Sequence, residues 1–280
     1  MITLAEVLRR STEYLETHGS PTPRLDAELL LAHSLGLSRI ELYTQFERPL
    51  SEAELDGCRS LVSRRGRREP VAYVIGQWGF RRLMLDVDAR VLVPRPETEL
   101  LVERCLALLS ETTSPAVLDV GTGSGAIALA IKDERPDARA TACDISTDAL
   151  EVARRNAERL GLEIELLESD LLSAFGDRRF DLIVSNPPYV SRAELEQLEP
   201  EVSRHEPSLA TLAGEDGLDS YRKLLPQAAE RLVAGGWLAV ECGAGQSQFL
   251  VAELERLGYV QPSVERDLAG IERVVWASWR

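Results

Sequence analysis

The segment Asn186-Pro187-Pro188-Tyr189 combines hydrogen-bond acceptors with an aromatic ring on a stiff stretch of chain. Its prolines cannot extend the apolar run 180–184 as a central strand, so they form an extended turn with free carbonyl groups. The Asn186 side-chain oxygen and the Pro187 carbonyl can each accept one N–H of a planar NH2 group, while Tyr189 stacks on its face. Such a nitrogen has a delocalised lone pair and must be gripped before it can be alkylated. We therefore interpret Asn186, Pro187 and Tyr189 as catalytic, and Pro188 as part of the same substrate clamp.

A second group of residues, Gly121-Thr122-Gly123-Ser124-Gly125, follows the apolar run 116–120 and precedes a helical pattern. Glycines let the backbone turn sharply and approach a ligand at positions where a Cβ atom would clash. Asp144 ends the next strand-like run, where its carboxylate can accept hydrogen bonds from both ribose hydroxyls of a nucleoside. Residues 121–125 and Asp144 therefore predict a nucleoside-cofactor site.

The glycine-rich loop alone does not choose between two cofactors. Gly121, Gly123 and Ala126 also satisfy the dinucleotide fingerprint, so NAD and S-adenosylmethionine fit nearly equally well. The Asn-Pro-Pro-Tyr turn favours S-adenosylmethionine, because hydride transfer has no use for two acceptors around an NH2 group. Asp170 and Leu171 follow the third strand-like run and are expected to meet the adenine; an ordinary aspartate at a strand end is the alternative.

Alternating strands and helices must position these residues. This alternation predicts an α/β fold, namely a Rossmann-like class I methyltransferase sheet that is mainly parallel. The link 268–272 is too short for a parallel crossover, so the last two strands should pair antiparallel. The strand-like runs are 116–121, 138–145, 163–169, 180–186, 236–242, 259–267 and 273–279, and the helical stretches are 125–134, 147–160, 220–234 and 246–257.

The first quarter of the chain has helical periodicity and no strand pattern. Ser51 and Glu54 form a capping-box pattern at the start of one predicted helix. We predict a small N-terminal helical bundle over residues 1–75, a β-hairpin connector over residues 76–94 and an S-adenosylmethionine-dependent methyltransferase domain over residues 95–280.

Charge and composition narrow the possible partners. The formal net charge is −14, which is unfavourable for binding a phosphate backbone and makes a nucleic-acid substrate an unfavoured alternative. The sequence has no apolar run of 18 residues and no signal-peptide pattern, so we expect a cytoplasmic protein with no membrane partner. The four cysteines and three histidines lack ligand-like spacing, so no metal site is expected.

Beyond these motifs, the chain resembles the peptide chain release factor N5-glutamine methyltransferase family. The resemblance spans essentially the whole sequence and rests on residues 24–31, 69–73, 93–99 (Val-Pro-Arg-Pro-Glu-Thr-Glu), 186–189, 206–207, 214–218 and 270–274. It implies a protein substrate, the glutamine in the Gly-Gly-Gln motif of class 1 release factors, and a helical N-terminal domain that contributes to docking the factor. By motif matching, Gly121–Gly125, Asp144, Leu171 and Asn186 would contact S-adenosylmethionine, Asn186–Tyr189 would contact the glutamine, and Phe80 would lie near the substrate pocket.

The sequence departs from the family pattern at three positions. Leu171 stands where tryptophan is common, Gly79 replaces a commonly acidic residue, and Arg82 replaces a common glycine. Three alternatives stay open at this point: a glutamine of a ribosomal protein, the planar amino group of a nucleic-acid base, and a binding role without catalysis.

Overall fold

The computed structural model describes residues 2–280; Met1 lies outside the described residues. Contacts divide the chain into two compact units. The first comprises the residues up to Gln77 together with Glu199–His205, and the second comprises Trp78–Leu198 and Glu206–Arg280. In chain order the elements are α1 (Leu4–Thr17), α2 (Pro23–Leu35), α3 (Arg39–Thr44), α4 (Glu52–Gly66), α5 (Val71–Ile75), β1 (Gln77–Phe80), β2 (Leu83–Asp86), α6 (Pro96–Leu108), β3 (Ala116–Val120), α7 (Ala126–Glu134), β4 (Arg139–Asp144), α8 (Thr147–Leu160), β5 (Glu165–Glu168), β6 (Phe180–Ser185), α9 (Arg192–Leu195), α10 (Pro200–His205), α11 (Asp219–Ala229), β7 (Leu232–Glu241), α12 (Ser247–Leu257), β8 (Val260–Arg266) and β9 (Glu272–Ser278).

The first unit is a small helical bundle. The predicted capping box starts α4: the Ser51 side chain accepts the Glu54 N–H, and the Glu54 side chain accepts the Ser51 N–H. Apolar residues of α1 and α2 are fully buried between the helices. Arg65 of α4 is also buried and pairs with Asp26 at 2.6 Å and with Glu201 at 2.6 Å, so segment 199–205 is held within this unit by charge pairing.

The second unit is built on a seven-stranded sheet in the order β5-β4-β3-β6-β7-β9-β8. The pairs β4–β5, β3–β4, β3–β6 and β6–β7 are parallel. The pairs β7–β9 and β8–β9 are antiparallel. The predicted α/β fold, with a mainly parallel sheet and antiparallel last strands, is confirmed.

The strand register brings the predicted site residues to one edge. Val120 at the end of β3 pairs with Cys143 of β4 on one side and with Ser185 of β6 on the other. The loops that follow these three strands therefore leave the sheet at the same level, as expected at the carboxyl edge of an open parallel sheet.

The hairpin of β1 and β2 forms a separate two-stranded sheet. Arg81 occupies its turn with φ +50° and donates its backbone N–H to Glu99 Oε1 of α6 at 2.9 Å. The Arg81 guanidinium pairs with Glu134 at the end of α7. The turn is thus attached to two helices that flank the sheet.

Two features of the secondary structure differ from the sequence prediction. The predicted helix 220–234 ends at Ala229, and β7 begins at Leu232. Leu232 continues the helical spacing of Leu224 and Ala228, but its backbone pairs with Phe180 of β6. The short helices α3, α5, α9 and α10 were not predicted, because four to six residues are too few to show a period. Among residues 2–280, no helix has the length and apolar character that a membrane span requires.

Candidate active site

A cavity of about 460 Å³ lies at the carboxyl edge of the sheet, within the second unit. This volume is in the range of sites for small ligands. Residues from seven segments line the cavity, although not every residue within a segment does so. The segments are Arg90–Leu92, Pro94–Thr98, Val120–Ile127, Asp144–Ala149, Ser169–Leu171, Ser185–Pro188 and Pro207–Lys223. The predicted cofactor residues other than Gly125 and most of the predicted clamp therefore share one cavity.

The glycine-rich loop forms one wall. Gly121 and Gly123 have φ values of +74° and +56°, and a Cβ atom added at either would meet no atom within 4 Å. Because the backbone is left-handed at both glycines and the space beside them is open, the loop forms a cradle that a side chain at either position would fill. Gly125 has a different role, because a Cβ there would lie 2.9 Å from the Leu129 side chain, so this glycine allows close packing of α7.

Asp144 ends β4 and borders the cavity. Its Oδ2 accepts the Gly123 N–H at 2.9 Å, and its Oδ1 accepts the Ser146 N–H at 2.9 Å. These bonds hold the carboxylate against the loop, and each oxygen retains a lone pair for a hydroxyl group. Burial raises the pKa of Asp144, while hydrogen bonds from the backbone N–H groups of Ser146, Gly123 and Ile145 oppose that shift.

Asp170 and Leu171, which follow β5, also line the cavity. Leu171 has a φ of +51°, which is rare for a residue with a side chain and is often found at ligand sites. Its carbonyl accepts a weak bond from the Cys143 thiol at 3.4 Å, and its side chain packs on the core that Cys143 joins. The loop is therefore held in a strained conformation, with Leu171 packed between the core and the cavity that it borders.

The two proposed acceptors of the clamp are free. Among residues 2–280, no donor reaches Asn186 Oδ1 or the Pro187 carbonyl oxygen, and both residues border the cavity. The Asn186 Nδ2 donates instead to Thr98 Oγ1 at 3.1 Å. The peptide bonds that precede Pro187 and Pro188 are trans.

Tyr189 and Phe80, both predicted at the site, do not border this cavity. The half-buried Tyr189 donates its hydroxyl to Glu241 Oε1 at 3.4 Å, and its carbonyl accepts from Gln246 Nε2 at 2.9 Å. Burial raises the pKa of the Tyr189 phenol, and the Glu241 carboxyl adds to that shift. Phe80 is 1 % exposed and belongs to the core. The structure therefore brings Asn186, Pro187 and Pro188 together with every predicted cofactor residue except Gly125, which packs against Leu129 and does not border the cavity.

Two buried polar residues beside the clamp, Thr98 and Glu241, were not among the site residues predicted from the sequence. Thr98 lies in the first turn of α6, and its hydroxyl donates to Glu241 Oε2 at 2.7 Å. Burial raises the pKa of Glu241 to about 7, because removing the carboxylate from water disfavours its charge. A signal was present for Thr98, which lies in the Pro-Arg-Pro-Glu-Thr-Glu segment. For Glu241 the only signal was an acidic residue at the end of an apolar strand.

The rim formed by residues 207–214 was also missed. The side chain of Glu206 is only 1 % exposed. Each of its two carboxylate oxygens accepts a hydrogen bond of 2.7 Å from Arg95 Nη2. This pair holds the rim beside Arg95, which borders the cavity itself. The sequence contained Glu206 and Arg95 in segments that resemble the family, but their pairing spans 111 residues.

These features fit a nucleoside whose attached chain reaches the clamp. The glycine cradle provides space for a backbone-contacting group, Asp144 offers acceptors for hydroxyls, and the strained Leu171 faces the cavity. Because all of these residues line one cavity with Asn186, a single elongated ligand can span from Leu171 to the clamp.

Comparisons with known proteins identify related sequences. Residues 6–76 match the family described as "PrmC N-terminal domain", and residues 96–200 match "Methyltransferase small domain". The chain is 45% identical over 273 residues to the release factor glutamine methyltransferase of Geobacter sulfurreducens, an alignment that covers 98% of this chain and 95% of the relative. It is 44% identical over 283 residues to the protein of the same name from Rhodopirellula baltica, with the same coverage of 98% and 95%.

Solved structures share the fold. The 16S rRNA N2 G1207 methyltransferase of T. Thermophilus, solved in complex with AdoMet and guanosine, superposes with a TM-score of 0.54 at 20% identity. This match covers 73% of the present chain and 50% of the other. At that identity the likeness concerns the fold alone.

Proposed function

The chain belongs to the release factor glutamine methyltransferase family, and on this premise we propose that it methylates the side-chain amide nitrogen, N5, of the glutamine in the Gly-Gly-Gln motif of class 1 peptide chain release factors. The enzyme class predicted from the sequence, an S-adenosylmethionine-dependent protein-glutamine N-methyltransferase, is confirmed by this membership. The cofactor predicted from the sequence, S-adenosylmethionine, is confirmed with it.

One observation carries the proposed substrate chemistry. Asn186 and Pro187 both border the cavity, and neither Asn186 Oδ1 nor the Pro187 carbonyl oxygen has a donor among residues 2–280, whereas Asn186 Nδ2 is bonded to Thr98. Two free acceptors on one rigid turn match the two N–H groups of a primary carboxamide. Because the acceptors are fixed by β6 and by two prolines, the protein need not reorganise to grip the amide.

Residues 121–124, Asp144, Asp170 and Leu171 border the cavity and would hold S-adenosylmethionine, which supplies an electrophilic methyl group. Contact of Gly125 with the cofactor stays a prediction. Asn186, already in this cavity, would contact the cofactor as well as the amide. The clamp then acts on the amide: Asn186 Oδ1 and the Pro187 carbonyl accept one N–H each and turn the remaining face of the nitrogen toward the cofactor side. Both acceptors stabilise the positive charge that develops on the nitrogen as the new N–C bond forms. The alkylated nitrogen is strongly acidic, so its proton leaves without a dedicated base.

Pro188 and Tyr189 support the turn in this proposal. Pro188 borders the cavity, and Tyr189 anchors the turn through Glu241 and Gln246. Stacking of Tyr189 on the amide and contact of Phe80 with the substrate stay predictions, since neither ring borders the cavity.

The partner in this proposal is a whole protein. The family match over residues 6–76 supports a docking role for the helical unit, and translation is the cellular setting, so we place the enzyme in the cytoplasm. The net charge of −14 supports a protein substrate over a nucleic acid.

The proposed substrate can be tested with purified components. A class 1 release factor is incubated with the enzyme and S-adenosylmethionine, digested, and analysed by mass spectrometry. We expect a mass gain of one methyl group on the Gly-Gly-Gln glutamine and none on a release factor whose glutamine is replaced by asparagine. Methylation of a ribosomal protein but not of the release factor would show that the substrate is a ribosomal protein instead. Methylation of RNA alone would overturn the protein-substrate proposal.

A further inference from the structure

A hydrogen-bond chain links the two polar side chains of the clamp through Thr98, which borders the cavity, and Glu241. Asn186 Nδ2 donates to Thr98 Oγ1 at 3.1 Å, and Thr98 Oγ1 donates to Glu241 Oε2 at 2.7 Å. The other carboxylate oxygen, Oε1, accepts from the Tyr189 hydroxyl at 3.4 Å. Glu241, the last residue of β7, is thus bonded directly to Tyr189 and, through Thr98, to Asn186, which are the two ends of the Asn-Pro-Pro-Tyr turn.

The order of donors and acceptors along this chain has one consistent direction. A threonine hydroxyl has a single proton. The ionised Glu241 can only accept, and in a protonated Glu241 the proton can lie on Oε1 beside the Tyr189 hydroxyl, so in both states Oε2 can accept the Thr98 proton. The Thr98 oxygen is then left with lone pairs, which require a donor from Asn186. Only the NH2 end of the Asn186 amide meets that requirement, so the amide oxygen must point the other way.

This direction matters because the two ends of an asparagine amide are almost the same size. If the amide turned over, it would present its NH2 group to the NH2 group of a substrate amide. Two donors would then face each other, and one of the two acceptors in the clamp would be lost. Packing alone cannot distinguish these orientations, whereas a hydrogen-bonded neighbour can.

The placement of Thr98 and Glu241 is not explained by local structure. Thr98 lies in the first turn of α6, yet its hydroxyl bonds to a residue 143 positions away rather than to its own helix. Both residues are almost fully buried, with exposures of 4 % for Thr98 and 1 % for Glu241. Burying a carboxyl group is unfavourable unless its oxygens are bonded, and its side-chain bonds lead to the clamp.

We propose that Thr98 and Glu241 are positioning residues that fix the orientation of the Asn186 amide so that its oxygen faces the substrate nitrogen. This inference rests on the proposed function, because it assigns the free Asn186 oxygen to a carboxamide. Thr98 acts directly on Asn186, and Glu241 acts through Thr98.

The test uses two matched pairs of variants of the full chain. Thr98→Val removes the hydroxyl at nearly constant shape, while Thr98→Ser keeps it. Glu241→Met removes the acceptor at nearly constant length, while Glu241→Gln keeps an amide oxygen that can accept from Thr98. Single-turnover rates are measured with the wild-type substrate protein, and S-adenosylmethionine affinity is measured by calorimetry.

We expect Thr98→Val and Glu241→Met to lower kcat about tenfold or more, with kcat of the Ser and Gln variants within about threefold of wild type. The losses in the double variant Thr98→Val/Glu241→Met should be far from additive, because both residues act on one amide and only the Glu241 bond to Tyr189 is lost in addition. A valine variant as active as the serine variant, or fully additive losses, would overturn the inference.

A second measurement does not depend on turnover. The side-chain NH2 resonances of Asn186 are identified in a 15N–1H spectrum by their loss in Asn186→Asp. We expect these resonances to shift in Thr98→Val and to stay near their wild-type positions in Thr98→Ser; unchanged resonances in the valine variant would overturn the inference. If the wild-type enzyme methylates no glutamine, the proposed function fails, while this spectrum still decides whether Thr98 holds the amide.

Discussion

The Nδ2 atom of Asn186 lies 3.1 Å from the Oγ1 atom of Thr98, a contact between segments that are 88 residues apart in the chain. This hydrogen bond fixes the orientation of the Asn186 amide, which the four residues of the Asn-Pro-Pro-Tyr turn do not determine by themselves. The turn provides two acceptors at the end of β6, and the first turn of α6 determines which end of the asparagine amide faces the cavity.

Replacing Asn186 with alanine should remove one of the two acceptors that grip the substrate amide. We expect kcat to fall by about two orders of magnitude, because the lost bond strengthens as charge develops on the nitrogen. Asn186→Asp keeps an oxygen acceptor and should lose less than Asn186→Ala. Single-turnover kinetics with a release factor, together with calorimetric binding of S-adenosylmethionine, separate the two steps. If Asn186→Ala kept kcat within a few-fold of wild type, the assigned grip on nitrogen would be wrong.

Gly123→Ala should damage the cofactor site beyond its effect on stability. Gly123 has a φ of +56° and faces open space, so the added methyl group fills the cradle and strains the backbone. Gly161→Ala is the matched control, since Gly161 caps α8 at φ +65° with equally open space and does not border the cavity. Both variants should lose about 1 kcal/mol of unfolding free energy, measured with urea.

Cofactor binding should separate these two glycine variants. We expect S-adenosylmethionine affinity to fall more than tenfold in Gly123→Ala and to stay at the wild-type value in Gly161→Ala, as measured by calorimetry. Equal affinities in the two variants would show that the space beside Gly123 is not part of the cofactor site.

The buried pair Arg95–Glu206 should contribute far more stability than an exposed pair. Arg95→Met leaves the Glu206 carboxyl buried without its cation, and we expect a loss of about 1–3 kcal/mol, reduced from the fully buried case because Arg95 is 34% exposed. Arg192→Met is the control: the Arg192–Glu215 pair is 64% and 83% exposed, so its loss should be below about 0.5 kcal/mol. Urea unfolding of both variants checks the difference, and equal midpoints would argue against a structural role for the Arg95 pair.

Much of this architecture could be predicted from the sequence because the signals are local. Glycines followed by a helix, an acid at a strand end and prolines after a strand each identify a loop at the carboxyl edge. The parallel register then brings Gly121, Asp144 and Asn186 together. Thr98, Glu241 and Glu206 could not be placed in the same way, since their roles come from partners 88, 143 and 111 residues away.

The error at the end of α11 has a similar origin. Leu224, Ala228 and Leu232 are all buried and follow helical spacing, so periodicity extends the helix. Pairing of Leu232 with Phe180 makes the last of these residues a strand residue. A tertiary contact, invisible to local spacing, outweighs the pattern.

The buried carboxyl groups Glu241 and Asp119 should make stability depend on pH. Burial raises the pKa of each to about 7. Glu241 faces Thr98, Glu97, Arg273 and Tyr189, of which Arg273 and the two hydroxyls oppose the shift. Because the folded protein keeps these protons while the unfolded chain has released them, the unfolding free energy falls as the pH rises from about 4.5 to about 7.

Glu241→Gln isolates one of these two contributions. The glutamine cannot titrate. Between pH 5 and pH 8, the unfolding free energy of the wild type should therefore fall by on the order of 2 kcal/mol relative to that of the variant. Urea unfolding at four pH values measures this. A constant difference over the range would show that Glu241 has an ordinary pKa in the folded protein.

Leu171→Trp should strengthen binding of the cofactor. Leu171 borders the cavity with its backbone held at φ +51°, and the tryptophan that is common at this position in the family offers a larger flat surface for an adenine ring. Aromatic stacking contributes about 1 kcal/mol, so we expect an affinity gain of roughly three- to tenfold. Leu171→Ala should change affinity in the opposite direction. Calorimetry with S-adenosylmethionine and with its demethylated product tests the cause: both share the adenine, so both should gain equally. A gain for only one of them would place residue 171 at the sulfur end of the ligand.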